Sequence, residues 1–252
     1  MQVTFGSGLM FAVPFLDGTG ATITTPTPVQ FGVLQDVSVD VQFENKMLHG
    51  QNQFPVANGR GKGKVGGKAK FAKINGALYN SLFFGQTLTK AIFAVQSDFA
   101  GTLIPTTPYT ITPAPPFSGT WTADLGVLDA NGNTMTRVAS APATGQYSVA
   151  AGVYTFAAAD TGLKVYITFE YTAVSTTANR IDVINLPMGY SPEFKLYLSN
   201  PYKSKINTMK LYSVVSTKLS VGGKNDDFTV PEMDFEGMAD SAGNVLTWGT
   251  SE

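Results

Sequence analysis

Val33-Leu-Gln-Asp-Val-Ser-Val-Asp-Val-Gln-Phe43 sets Val33, Val37, Val39, Val41 and Phe43 against Gln35, Asp36, Ser38, Asp40 and Gln42. Apolar and polar side chains alternating with period two belong to a strand with one face in a core and the other in water. Over residues 60–71 the same period carries different chemistry. Arg60, Lys62, Lys64, Lys68 and Lys70 share one parity, while Gly61, Gly63, Val65, Gly67, Ala69 and Phe71 hold the other. Such a strand places every cation on one face and small or apolar groups on the opposite face. Gly66 and Gly67 in its middle mark a bulge or a close backbone neighbour. Between the two strands, Lys46-Met-Leu-His-Gly-Gln-Asn-Gln-Phe54 reads as a polar loop.

Outward from this pair, the spacing of Ile74, Ala77, Leu78 and Leu82 predicts a short helix over 74–84, with Gly85 as its stop. Pro105, Pro108, Pro113, Pro115 and Pro116 crowd the next stretch, which reads as an extended connector or boundary. Short strands and turns follow. Asp129-Ala-Asn-Gly-Asn133 and Ala150-Ala-Gly152 are turn chemistry, and Val165, Ile167, Phe169 and Tyr171 alternate along one strand face. A further set of strands begins near 187, at 194–198, 210–215, 228–235 and 245–248, the last two joined through Asp240-Ser-Ala-Gly-Asn244. The expected fold is mainly β: a sandwich or partial barrel flanked by one short helix, with a small β domain inserted. The expected divisions are an N-terminal arm over 1–30, a β-sandwich domain over 31–99 and 188–252, and an inserted, outward-facing β-rich domain over 100–187.

Composition narrows the chemistry. The 252 residues include 26 Gly and 14 Pro, only 14 % are charged, and the formal net charge is −1, which gives the whole molecule no general attraction for nucleic acid or anionic membrane. So few charges suggest surface hidden by partners. Absence of Cys excludes disulfides, thiol nucleophiles and thiolate metal sites, and one His (His49) excludes a two-histidine metal motif. No apolar run approaches the ~18 residues of a membrane helix. The opening Met1-Gln-Val-Thr-Phe5 lacks the basic flank and apolar stretch of a signal peptide, so an intracellular chain is expected.

Each candidate motif has a plainer explanation. Gly61-Lys-Gly-Lys-Val-Gly66 matches G-x-G-x-x-G, but the residues after it continue a strand rather than open a helix. Ala69 stands where a phosphate loop needs Ser or Thr after Gly67-Lys68. Asp129, Asn131 and Asn133 resemble the start of a calcium loop, yet Thr134 and Ser140 occupy the positions of its Gly and Glu, so a hairpin turn is the better reading. Asp226-Asp227 reads as a solvated loop. His49 has neither a nucleophile nor an orienting acid near it in sequence. Trp121 and Trp248 fall in strand registers, which favours packing over a sugar platform. No catalytic residue, cofactor or metal is expected. The stripe from Arg60 to Lys73 holds basic residues and no acid. With Phe71 as its only aromatic, it suits acidic groups on a protein partner better than nucleic acid.

Phe31-Gly-Val-Leu-Gln-Asp-Val-Ser-Val-Asp40, Leu48-His-Gly-Gln-Asn-Gln-Phe-Pro55, Gly61-Lys-Gly-Lys64, Gly67-Lys-Ala-Lys-Phe71 and Ile74-Asn-Gly-Ala-Leu-Tyr-Asn-Ser-Leu-Phe-Phe84 together resemble the major tail (tail tube) proteins of long-tailed bacteriophages. Phe235-Glu-Gly-Met-Ala-Asp-Ser-Ala-Gly-Asn-Val-Leu-Thr-Trp248 is similar to the closing hairpin of that family, and Gln146-Tyr-Ser-Val-Ala-Ala-Gly-Val-Tyr-Thr-Phe156 with Ala159-Asp-Thr-Gly162 resembles a β-rich module inserted in phage structural proteins. The resemblance implies a virion tail protein, assembled in the host cytoplasm into stacked six-membered rings that conduct DNA to the host without binding it specifically. It implies as partners other copies of the chain, a tape measure in the lumen, a tail terminator and a distal tail protein, with no membrane. Residues 45–59 take the place of the loop that contacts the adjacent ring. Lys46, Leu48, His49, Gln51, Asn52, Phe54, Arg60, Lys62 and Lys64 are its contact candidates, with Phe5 and Phe11 in the arm. The alternatives are another virion part (decoration protein, tail terminator or contractile-tail inner tube) and a carbohydrate-binding β-protein.

Overall fold

The computed structural model describes residues 3–73, 75–223 and 225–251, and they form a mainly β protein with no sheet closed into a barrel. The chain divides into two compact units, Met1–Leu88 with Ile181–Glu252, and Thr89–Arg180. In chain order the first unit supplies β1 (Leu9–Leu16), β2 (Val29–Gln30), β3 (Leu34–His49), β4 (Pro55–Phe71) and the helical turn α1 (Gly76–Tyr79). Then come β5 (Leu88–Thr89), β6 (Ala91–Ser97), β7 (Thr102–Leu103), β8 (Thr110–Ile111), β9 (Thr120–Asp129), β10 (Thr136–Arg137), β11 (Gln146–Ala150), β12 (Val153–Phe156), β13 (Lys164–Val174) and β14 (Arg180–Ile181). The chain returns to the first unit with β15 (Glu193–Tyr202), β16 (Lys205–Ser220), β17 (Glu232–Met238) and β18 (Leu246–Thr250).

The first unit is one antiparallel sheet in the order β2-β1-β15-β16-β17-β4-β3, with β18 on the part of β16 that β17 leaves free. Its inward face is written in the alternation: Phe194 and Leu196, Met233 and Phe235, and Ala69 and Phe71 are buried, while their neighbours point away. Phe31, Leu78, Tyr79 and Leu82 close over them. Burial of the unbonded Tyr79 hydroxyl pushes its pKa up to about 12. Gly67 is set by close approach. A Cβ there would collide with the Ser38 carbonyl oxygen and come within 2.6 Å of Phe235 Cζ, whereas at Gly66 the nearest atom would be 3.4 Å away.

Four expectations change. The helix over 74–84 is shorter and changes type: Asn75 caps α1 through N–H bonds from Ala77 (3.1 Å) and Leu78 (3.3 Å), and Asn80–Phe84 continues as a π-helix. Ile74 lies outside the described residues. Buried Asn80 accounts for the wider turn, because its side chain bonds both the N–H and the carbonyl of Gln86 while its own carbonyl accepts from Gly85 N–H at 2.7 Å. The segment expected as an arm, 1–30, contributes β1, which pairs along β15 and buries Met10 and Ala12. The inserted unit runs from Thr89 to Arg180 rather than over 100–187, since β6 pairs along β13 and the Pro-rich stretch lies inside the unit, with Ile104 buried and β8 paired to β12. The strand expected from Phe228 starts only at Glu232, after Pro231.

Within the second unit, the sheets β10-β11-β12-β8 and β6/β7-β13-β9 bury one core of Ile111, Tyr147, Tyr154 and Phe156 against Val127, Ile167 and Phe169. Asp124, 3 % exposed, ties it together, accepting from Tyr147 hydroxyl (2.8 Å) and Tyr154 hydroxyl (3.1 Å) with Arg137 at 3.6 Å. Trp121 packs there and donates its Nε1–H to Tyr154 hydroxyl at 3.3 Å, so it serves the core.

Three turns share one chemistry. Asp129 Oδ1 accepts from the N–H groups of Asn131 and Asn133, Asp240 Oδ1 from Ala242 and Asn244, and Asp17 Oδ1 from Thr19 and Ala21. In each a glycine (Gly20, Gly132, Gly243) supplies positive φ near +83° three residues after the Asp. The Asp129 loop is therefore a hairpin turn whose carboxylate is engaged by its own backbone. Gly67→Ala is expected to cost about 1–3 kcal/mol through overpacking, and Gly66→Ala to cost nothing measurable in the same urea titration.

Candidate functional site

β3 and β4 are 16 and 17 residues long, and the rest of the sheet supports only part of that length. β17 pairs with β4 from Val65 to Lys70, and no strand borders the outer edge of β3 among the described residues. Past Asp40 on β3 and before Lys64 on β4, the two strands have only each other, and residues 40–60 are exposed throughout. The β3–β4 arm is thus a two-stranded ribbon with two bare edges. Isolated ribbons of this kind are marginal in water, and open strand edges are templates for further pairing.

Its side chains sharpen the point. Val37 and Val39 pack on the core, and their alternation continues past the core edge through Val41, Phe43 (51 % exposed) and Met47 (53 %). Phe54 at the tip is 78 % exposed, with Leu48 and Val56 also open. These exposed apolar side chains make the arm the candidate contact surface.

Of the residues singled out from sequence, Lys46, Leu48 and His49 lie on β3, Gln51, Asn52 and Phe54 at the tip, and Arg60, Lys62 and Lys64 on β4, so the structure gathers all of these on the arm. Phe5 and Phe11 sit elsewhere: Phe5 is exposed against Tyr202 at 6.0 Å between ring centres, and Phe11 is half-buried on β1 opposite Tyr197. Val41, Phe43, Met47 and Val56 belong with the arm and were not singled out. The signal for them was in hand: the same period-two alternation that identified β3.

The cationic stripe is rearranged in two ways. A register shift between Phe43 and Asn45 inserts an extra residue on β4, so Arg60 leaves the lysine face and lies over the Phe43 ring at 4.2 Å. The lysines in the supported part of β4, and Lys64 next to it, meet acids of their own chain. Lys64 pairs with Glu236 (2.6 Å), Lys68 with Glu232 (3.5 Å) and Asp234 (3.8 Å), and Lys70 with Glu232 (3.6 Å). The acidic complement assigned to a partner is thus β17 itself. Exposed pairs of this kind add little stability, but they cancel the field of the stripe.

The other motifs singled out from sequence take these forms among the described residues. Gly61–Gly66 runs inside β4 on the β3 ladder, with no helix opening from it to hold a pyrophosphate. His49 sits exposed near the arm tip. Among the described residues no group of three or more His, Cys, Asp or Glu converges as a metal site, and no helix is long and apolar enough to cross a membrane. Trp248 is exposed, its Nε1–H donated to Asn207 Oδ1 at 2.7 Å. A scan of protein-family models and a search of curated proteins each returned no match.

At Glu232, partial burial pushes the carboxyl up, but Lys68, Lys70 and Lys218 outweigh it and hold it below its ordinary 4.5. A carboxyl depressed by folding contributes stability above its unfolded pKa and loses it as pH falls through the folded one. Glu232→Gln is therefore expected to flatten the fall in melting temperature below about pH 4.5, and to leave the slope near neutrality unchanged.

Proposed function

We propose that this chain is a structural subunit that polymerises with copies of itself, and that its product is the stacked-ring tube of a bacteriophage tail, a conduit for DNA in the virion. The observation that carries self-assembly is the arm: a strand pair with bare edges and an uncovered apolar stripe on a chain with few charges. The two borders of the large sheet, β2 with β1 on one side and β3 on the other, offer different edges. Different edges meet head to tail, and head-to-tail contacts build rings when the rotation closes. The assignment to a tail tube rests on the resemblance of the β3, β4 and closing-hairpin segments to that family.

Cancellation of the lysine stripe by β17 favours the same assignment. A DNA conduit must let its cargo slide, and a face whose lysines are already paired offers few free cations to phosphate. We assign the chain no catalytic role and place it in the virion tail.

Sedimentation velocity and negative-stain microscopy of the purified chain at rising concentration test this. Rings and tubes are expected; a monomer at every concentration would contradict it. Replacing residues 45–59 by a two-residue Asn-Gly turn should abolish stacking while shifting the melting temperature by less than about 5 °C, because the excised residues touch no core. Global unfolding of that variant would show the arm to be part of the fold instead.

A further inference from the structure

The arm carries charges that its own chain does not match. Lys46, Arg60 and Lys62 are exposed on it, with Glu44 as the one acid among them, and none of the three makes an ion pair among the described residues. Arg60 is held over Phe43, so the cation is presented on an aromatic platform. The lysines nearer the root are consumed by β17. Along β3 and β4 themselves the unpaired cations lie on the projecting half, while exposed Lys73 follows the root end of β4.

The complementary feature lies at the opposite end of the same strands. Ser220, Glu232, Lys70 and Asp36 stand side by side across β16, β17, β4 and β3, and Phe71 N–H donates to Pro231 carbonyl at 3.2 Å. The connection between β16 and β17 therefore turns at the root of the arm. From Asp36 to Asn45, the partner of Arg60, the strand rises about 30 Å. That connection exposes Asp226 and Asp227 beside Phe228, which is 91 % exposed, and neither aspartate has an ion pair among the described residues. Lys224, in the same connection by sequence, lies outside the described residues.

Building on the tube-subunit proposal, we infer that the cationic half of the arm on one copy docks on the Asp226-Asp227-Phe228 turn of the next copy along the axis. Arg60, on the face that carries Phe43, meets the aspartates while the apolar arm residues cover Phe228, and Lys46 and Lys62 add positive charge from the other face. Opposite charges at opposite ends of one pair of strands, about 30 Å apart, cannot satisfy each other within a molecule. They are satisfied by translation along the strands, which gives an open-ended stack.

Charge reversal with rescue tests this. Arg60→Glu with Lys62→Glu should raise the concentration at which stacks appear by about tenfold or more, and so should Asp226→Lys with Asp227→Lys. The fourfold variant carrying all these changes should stack again, and an equimolar mixture of the two double variants should co-assemble. Far-UV circular dichroism and melting temperature on each variant confirm folding, which these exposed positions leave intact. Stacking by both double variants at the wild-type concentration would overturn the docking. So would failure of both the fourfold variant and the mixture to recover. A wild-type chain that never assembles would instead overturn the tube-subunit proposal beneath it.

Discussion

Backbone hydrogen bonding along the edges of β3 and β4 is the constraint on which the structure turns. Every strand edge must pair, be covered or face water, and the large sheet supports β4 only from Val65 to Lys70. Beyond that point the arm keeps the strand geometry, the alternation and the apolar stripe, but not the third strand that makes a ribbon stable. An element with exposed Phe43, Met47 and Phe54 and open N–H and C=O rows leaves its pairing capacity unused within the chain, and the proposed self-assembly would use it.

The supported half of the sheet shows what the arm lacks. There, Gly67 lets Phe235 lie against β4, Met233 and Ala69 fill the core side, and the outward face is an alternating lattice of lysines and acids. Core burial gives that half its stability; the ion pairs give it neutrality. The same two strands therefore run from a packed, electrically balanced root to an uncovered, positively charged end.

Period-two alternation made much of this legible in the sequence. Val37, Val39, Val41 and Phe43 identify β3, and Asp, Gly and Asn identify the turns at 129–133 and 240–244, because side-chain direction and positive φ are local properties; the second turn nevertheless closes no hairpin, since β17 and β18 follow one another along β16 instead of pairing with each other. Non-local facts were not legible. One extra residue in β4 moves Arg60 to the other face, and no parity count over 60–71 reveals where a bulge falls. The acids that neutralise the stripe lie in Glu232-Met-Asp-Phe-Glu236, whose own alternation is plain, but nothing local says which strand sits beside which. The Pro-rich stretch was read as a boundary because proline ends regular structure; here it threads through a domain whose first strand, β6, precedes it. Of the contact candidates read as a loop over 46–54, Lys46, Leu48 and His49 lie on the continued β3 ladder, and only Gln51, Asn52 and Phe54 lie in the turn.

Concentration-dependent hydrogen exchange tests the central claim most directly. The amides of residues 40–49 and 55–64 that do not bond across the β3–β4 ladder should exchange rapidly in dilute chain and become protected in concentrated chain, while those of the Val65–Lys70 segment stay protected throughout. Protection of the arm amides already complete at high dilution, or rapid exchange that no concentration slows, would contradict the claim that other copies of the chain complete these strands.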